Sequence, residues 1–480
     1  ELANIKIVGK KTVEIDRIIA VGTADSDNAI INMETTELHA GDARIRVSGV
    51  VKAREKAPDI KLTGNIENIS TTKLLEIWPL EVARGLRVWI DENLDAFVPN
   101  GNFDVDLSEK DLLALVDGGE VPTGFLNAEF QAKDATVRYL EGLPPLRQAY
   151  GRGVLKDAEF NFYGEGGVAT VASGKKVQLV KARFLTNWAK SDPAIGKVEA
   201  SVKGPASAVM ELLDNDPLNF GKKMGINPKT MGGNAAGELE FTMPLLAELP
   251  IEKVDIKATA LLSGIKIPKA FGDFDVTKGK LKLDITRFGL KGTGTIDLRG
   301  TKTALVWTEN FGFRGKRSSE FKLSTTLNDA ARKRLGLELS SFIRGPADVS
   351  MTLTGSGADL NEAHVVADLT KTTLFRKPIG WLSPPGKKAS AQIKMKFLKD
   401  GAIEIENIKV VSDKRKVFVT GKLSINADGE VSKFNLPEIL LGPLNRYSAS
   451  GSRNSAGRLD VVVRGASFDA RPIIENALKQ

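Results

Sequence analysis

The sequence contains no cysteine. That excludes disulfide frameworks, thiolate metal sites and cysteine nucleophiles. Histidine is almost as scarce: His39 and His364 are the only two. They cannot supply a multi-histidine metal site, and neither stands at a spacing typical of general acid–base chemistry. Aromatic residues make up 6% of the chain. No basic cluster has aromatics interleaved with it, so nucleic acid is a poor match. No apolar run approaches the roughly 20 residues that a membrane helix needs. No secretory leader is visible and the chain opens at Glu1. The expectation is an excised segment, with any export signal or membrane anchor outside it.

Phosphate-binding loops are missing too. Gly151-Arg152-Gly153 lacks the third glycine of a dinucleotide fingerprint. Neither Gly315-Lys316 nor Gly386-Lys387 is followed by the Ser or Thr of a P-loop. The expectation is a protein that is not an enzyme and that needs neither a cofactor nor a metal.

What is present fits a folded chain. Hydrophobic residues are 42% and charged residues 27% of 480, the balance of an ordinary globular protein. At roughly 150 residues per domain the length suggests about three. The composition places them at residues 1–118, 119–246 and 247–480. The net charge of +8 suits the neighbourhood of anionic lipid head groups.

The dominant pattern has period two, the signature of half-buried strands. In Lys280-Leu281-Lys282-Leu283-Asp284-Ile285 the odd positions are apolar and the even ones charged. After Arg287 the apolar set resumes at Phe288, Leu290, Ile296 and Leu298. Ile393, Met395 and Phe397 are followed by Ile403 and Ile405 across Asp400-Gly401, which predicts a hairpin with a two-residue turn. Asp428-Gly429 is a second such turn. A short unit also recurs: apolar, any residue, apolar, polar, Gly. It appears at residues 45–49, 60–64, 200–204, 351–355, 417–421 and 461–465. Its glycine suits a strand that bends sharply, and the plainer reading is a strand end.

Helices interrupt the strands. Leu86, Trp89, Ile90, Asn93 and Leu94 share a face of a helix predicted from about Pro79 to Leu94. Ser108 is placed to cap a helix over 109–116. Further helices are predicted over 205–213, 328–337 and 471–479.

An alternating strand has one apolar face that something must cover. Helices are too few to cover all of these strands, and aromatic residues are scarce. Two architectures remain: several small sandwiches in a row, or one long sheet curled into a trough. An open trough would exceed the apolar patch that a soluble protein tolerates, so it needs a ligand. An acyl chain has the right chemistry.

Family likeness favours the trough. Ile77-Trp78-Pro79-Leu80, Arg84, Arg87-Val88-Trp89-Ile90 and Asn93-Leu94 carry a tryptophan-proline and arginine-tryptophan-isoleucine signature. It resembles that of the large AsmA-like proteins of the YhdP type, bridge-like lipid transfer proteins of bacteria. The loop Tyr139-Leu140-Glu141-Gly142-Leu143-Pro144-Pro145-Leu146 is similar to one of theirs. So is the module of Gly204-Pro205, Leu212-Leu213, Asp216-Pro217-Leu218 and Gly237-Glu238-Leu239. Residues 327–336 and 464–471 resemble segments of alphaproteobacterial members. The resemblance spans roughly residues 60 to 475 and rests on the order of short motifs. It implies a mainly β fold: an elongated, strongly curved antiparallel sheet forming an open apolar groove, with a few short helices. It also implies a periplasmic protein anchored to the inner membrane that carries phospholipid toward the outer membrane and supports outer-membrane integrity. The anchor lies outside this segment, and envelope proteins at either membrane are the expected partners. The competing reading is an envelope assembly scaffold or chaperone that offers sheet edges to outer-membrane proteins.

The candidate lipid-facing residues are Ile45, Val47, Phe160, Phe162, Leu281, Leu283, Ile285, Leu290, Ile296, Leu298, Ile393, Met395, Phe397, Ile403, Ile405, Val417 and Val419. The alternative for each is a place in a dry protein core. Trp78, Pro79, Arg87 and Trp89 belong either to a helix that gates the groove or, as amphipathic helices usually do, to one anchored on the sheet by Trp89. Lys414-Arg415-Lys416 and Arg314, Lys316 and Arg317 are either phosphate contacts or solvated turns. Glu404 and Glu406 share a strand face opposite the apolar one, and are read as exposed.

Overall fold

The computed structural model describes residues 15–77, 84–116, 122–191, 193–216, 218–246, 249–250, 253–311, 318–357, 359–412, 416–454, 456–471 and 474. The fold is mainly β. Twenty-four strands form one antiparallel sheet that does not close into a barrel, and three short strands form a second. The chain divides into two compact units, Glu1–Phe220 with Asn234–Ala260, and Gly221–Gly233 with Leu261–Gln480.

The first unit is built on β1 (Arg17–Asp25), β2 (Ile30–Ala40), β3 (Ala43–Lys52), β4 (Asp59–Ser70), β5 (Leu94–Leu107), β6 (Leu126–Val137), β7 (Leu146–Lys156), β8 (Glu159–Thr170), β9 (Lys176–Asn187), β10 (Ile195–Pro205) and β11 (Gly232–Pro244). Each pairs antiparallel with the next. Register shifts at Val21/Gly22, Phe97/Gly101 and Ala132/Ala135 mark bulges, which bend a strand and increase its twist.

Its helices sit at strand ends: α1 (Thr71–Ile77), α2 (Arg84–Asn93), α3 (Glu109–Val116) and α4 (Ala206–Leu213). Ser108 caps α3 as the sequence predicts. The Asp111 amide donates to Ser108 Oγ at 3.3 Å, and Ser108 Oγ donates to Asp111 Oδ2 at 2.5 Å. This is a capping box with Asp in the reciprocating position. The helix predicted from Pro79 to Leu94 is described from Arg84 and ends at Asn93, because Leu94 opens β5; Trp78 and Pro79 lie outside the described residues. Trp89 is 45% exposed. The fixed point of α2 is Arg87, whose Nη2 donates to the Leu75 carbonyl at 2.8 Å and so satisfies an end of α1.

The second unit contains α5 (Phe220–Met224), whose first residue the division assigns to the other unit, and the later part of β12 (Asp255–Phe271). It continues with β13 (Phe274–Thr286), β14 (Gly289–Leu298), β15 (Thr301–Asn310), β16 (Ser319–Leu327), α6 (Asp329–Arg334), β17 (Ile343–Arg344), β18 (Ala347–Ser356), β19 (Asp359–Asp368), β20 (Thr373–Arg376), β21 (Trp381–Ser383), β22 (Ala389–Phe397), β23 (Ile403–Ser412), β24 (Val417–Ile425), β25 (Val431–Leu441), β26 (Asn445–Arg453) and β27 (Leu459–Ser467). The main ladder skips β17, β20 and β21, which pair among themselves. The helix predicted over 328–337 is α6, capped by Asn328, which accepts from the Ala331 amide at 2.8 Å. Of the one predicted over 471–479, only Arg471 and Ile474 fall among the described residues.

The hairpin of β22 and β23 forms as expected, but not with a two-residue turn. Leu398 N donates to Ala402 O at 2.9 Å, which leaves Lys399-Asp400-Gly401 as the loop. Only Gly401 has positive φ, +85°. Asn426 and Glu430 close the same three-residue loop around Asp428-Gly429. Asp-Gly here supplies the last two residues of a type I turn with a left-handed glycine, a geometry that also matches strand twist.

Candidate functional site

In the first unit, cross-strand register gathers the apolar residues on one face. One row runs Leu38, Ile45, Ile66, Gly101, Phe130, Gly153, Phe162, Phe184, Val198, Phe241 from β2 to β11. A second passes through Val47, Gly64, Phe103, Ala128, Leu155 and Phe160. The rings form a ladder: Phe130 lies 6.4 Å from Phe160 and 6.5 Å from Phe162, and Phe160 lies 6.1 Å from Phe184.

Glycines make room for these rings. A Cβ on Gly153 would stand 2.3 Å from the Phe130 ring, and one on Gly64 would stand 2.4 Å from that of Phe103. Each ring therefore lies flat across the neighbouring strand, a known way of covering strand glycines with aromatic side chains. In the recurring five-residue unit the glycine falls on the same face as its two apolar residues, as Ile45, Val47 and Gly49 do opposite Ile66, Gly64 and Leu62. Gly49, Gly64 and Gly421 are packing positions inside their strands, whereas Gly204 and Gly355 stand one residue from a strand end.

The second unit repeats the arrangement. Leu281, Leu283 and Ile285 oppose Gly294, Gly292 and Leu290, and Ile296 and Leu298 share the face of Leu290. The face continues through Trp307, Phe321, Leu353, Ala363, Met395, Ile405 and Leu423. Ile393, Phe397, Ile403 and Val419 stand on it as well. All seventeen candidates named from the sequence thus fall on the apolar face of their own unit.

They differ in cover. Ile45, Val47, Phe160, Phe162, Ile285, Leu298, Ile393, Met395, Phe397, Ile403, Ile405 and Val419 are half-buried. Leu281, Leu283, Leu290, Ile296 and Val417 are buried. Val417, 3% exposed, packs with Ile379, Ile439 and Leu441, so protein already covers it. Fully buried clusters form where an element caps the strand ends. Leu107, Leu115 and Phe125 pack at α3, Val171, Val177 and Ala208 at α4, and Leu374 with Ala347, Leu369 and Ala389 at the small sheet. The aromatic and aliphatic side chains in the middle of the face are half-buried from β3 to β11 and over β22, β23 and β24, whereas from β13 to β19 most of them, Leu323 and Leu353 included, are buried.

The opposite face is polar and charge-matched. Arg46 meets Glu37 at 2.8 Å, Arg152 meets Glu129 at 2.7 Å and Lys61 meets Asp106 at 3.1 Å. Glu406 bridges Lys394 and Lys396. The hydrogen-bonded partner cation in each case holds the Glu37, Glu129 and Glu406 carboxyls below their ordinary range: Arg46, Arg152 and Lys396 respectively. Glu404 is exposed, and Glu406 is half-buried beneath its two lysines. His39 Nε2 lies 3.4 Å from Glu37 Oε2, and His364 stands between Thr352 and Lys394 on the ladder. Neither joins a group of metal-ligating residues, of which there is none among the described residues. Lys416 is exposed, while Lys414, Arg415, Arg314, Lys316 and Arg317 lie outside the described residues.

Sequence reading missed several members of the apolar face, among them Phe130, Phe184, Trp307, Phe321 and Phe241. Around Phe130, Phe184 and Trp307 the neighbouring inward positions include Ala128, Ala132, Ala182, Thr186, Thr303 and Glu309, which blurs the alternation, whereas on the strands of Phe321 and Phe241 the inward Leu323 and Leu239 left it legible. On β15, Thr301, Thr303 and Glu309 share the face of Leu305 and Trp307. Glu309 is buried and accepts from Trp307 Nε1 at 3.2 Å.

No protein-family model matches the chain, and no curated protein matches it.

Proposed function

We propose that this chain is a lipid-binding segment whose apolar sheet face shelters phospholipid acyl chains in transit between the inner and outer membranes. On this reading it faces the periplasm, the full-length protein is tethered to the inner membrane, and the activity maintains the outer membrane without catalysis. The carrying observation is the half-buried stretch of the apolar face from β3 to β11 in the first unit and over β22, β23 and β24 in the second. Its residues are Phe, Ile, Leu, Met and Val, continuous from strand to strand, while helices and the small sheet cover only strand ends. A protein core would bury such side chains outright, and an uncovered apolar surface of this kind calls for a ligand. Flat-lying rings over glycines make the face smooth, which suits a flexible chain better than a molecule of fixed shape.

Native mass spectrometry with lipid extraction on the purified chain tests the reading. Several phospholipids per molecule are expected, and Phe162→Asp should reduce them while the protein stays folded. A stable, monomeric, lipid-free protein, or a Phe162→Asp variant that simply unfolds, would mean that protein covers this face.

The scaffold reading draws on a different feature. Every residue of β27 is exposed, including Val461, Val462 and Val463, and among the described residues only β26 pairs with it. Such an edge can accept a strand from another chain. Affinity for unfolded outer-membrane strands, with no bound lipid, would favour it.

A further inference from the structure

The small sheet of the second unit joins exposed apolar side chains to cations that have no acidic partner among the described residues. Phe342 is 48% and Leu382 is 62% exposed. They stand close together: Phe375 N donates to the Phe342 carbonyl at 2.9 Å, and Leu382 is the ladder partner of Phe375. Leu337 and Leu339, also exposed, sit on the turn that leads into Phe342. Arg376 lies over the Phe342 ring at 5.2 Å and Arg344 over that of Phe375 at 5.6 Å.

The charge here departs from that of the main sheet, where cations such as Arg46, Arg152 and Lys396 each meet a carboxylate. Residues 369–388 contain Lys371, Arg376, Lys377, Lys387 and Lys388 and no acidic residue. Among the described residues, Lys371 is the one of these that makes an ion pair, with Asp348 at 3.3 Å. Leu374 is buried and the half-buried Ile343 and Trp381 pack against it toward the strand ends, which fixes the small sheet in place; Phe375 is buried as well, while Phe342, Arg344 and Leu382 stay exposed.

We propose that this small sheet is a docking surface for an anionic lipid bilayer. Phe342 and Leu382 would enter the boundary between head groups and acyl chains, while Arg344, Arg376 and Lys377 meet the phosphates. Apolar insertion together with attraction to anionic lipid is the physics of interfacial binding. The inference does not depend on acyl chains occupying the apolar face of the main sheet.

The test is flotation of the full chain with phosphatidylcholine vesicles, with and without phosphatidylglycerol. Binding is expected only with the anionic lipid and should weaken as salt rises. The double variant Phe342→Ser/Leu382→Ser should lower partitioning about tenfold, and Arg344→Gln/Lys377→Gln should lower it by a similar factor. Both pairs are exposed, and an unchanged melting temperature checks that each variant folds. Equal binding to both vesicle types, no binding to either, or undiminished binding by the folded variants overturns the proposal. Preference for polyglutamate over vesicles would also overturn it, in favour of an acidic peptide. Phe162→Asp should leave flotation intact, so failure of the conduit reading and failure of this one are separable.

Discussion

The rings of Phe271 and Phe321 meet edge to face, 5.2 Å between centroids, although β13, β14 and β15 separate their strands. Four strand spacings in a flat sheet would hold them about 19 Å apart. The second unit therefore curls toward its apolar side in this region, and Trp307, stacked on Phe321 at 5.8 Å, lines the inside of the bend. A double-mutant cycle with Phe271→Leu and Phe321→Leu should return a coupling of about 0.5–1.5 kcal/mol in urea denaturation, the range for aromatic pairs. Coupling indistinguishable from zero would mean that the rings do not meet in solution.

Gly153 and Phe130 make a second test of the same face. With a Cβ only 2.3 Å from the ring, Gly153→Ala must displace Phe130. Overpacking of this sort costs about 1–3 kcal/mol. Shortening the ring with Phe130→Leu should recover much of that loss in the double variant, measured by thermal or urea unfolding. If Gly153→Ala is neutral alone, the ring does not lie across β7.

The charge ladder of the polar face gives a prediction for pH. The carboxyls of Glu37, Glu129 and Glu406 are held below their ordinary range by Arg46, Arg152 and Lys396. A carboxyl depressed in the folded state contributes stability above its unfolded pKa, near 4.5, and that contribution disappears as pH falls through the lower folded value. Stability should therefore drop on acidification below about pH 4.5 and change little from these groups above it. The triple variant Glu37→Gln/Glu129→Gln/Glu406→Gln should show a shallower acid limb in melting temperature against pH. Because the pairs lie on the solvent-facing side of the sheet, the difference between the proteins should shrink in high salt.

Much of this architecture was legible in the residues themselves. Alternation fixes which side chains share a face, so Leu281, Leu283 and Ile285 had to stand together once the segment became a strand. Ser108 announced its helix through capping chemistry that acts within a few residues. Asp400-Gly401 identified a turn, while its three-residue length depended on where the flanking strands stop pairing.

Tertiary structure alone decided what covers each side chain. Val417 and Val419 are indistinguishable in the sequence pattern, yet Ile379 buries the first and the second is half-open, because a short insertion between β19 and β22 returns over one end of the ladder. Trp89 reads as an anchor, yet it is 45% exposed, and the contact seen from α2 to α1 is the hydrogen bond of Arg87 to the Leu75 carbonyl. Phe130 and Gly153 come from different strands, and only register sets a ring against the missing Cβ. Periodicity is a local property of the backbone, whereas cover and curvature depend on contacts between residues far apart in the chain.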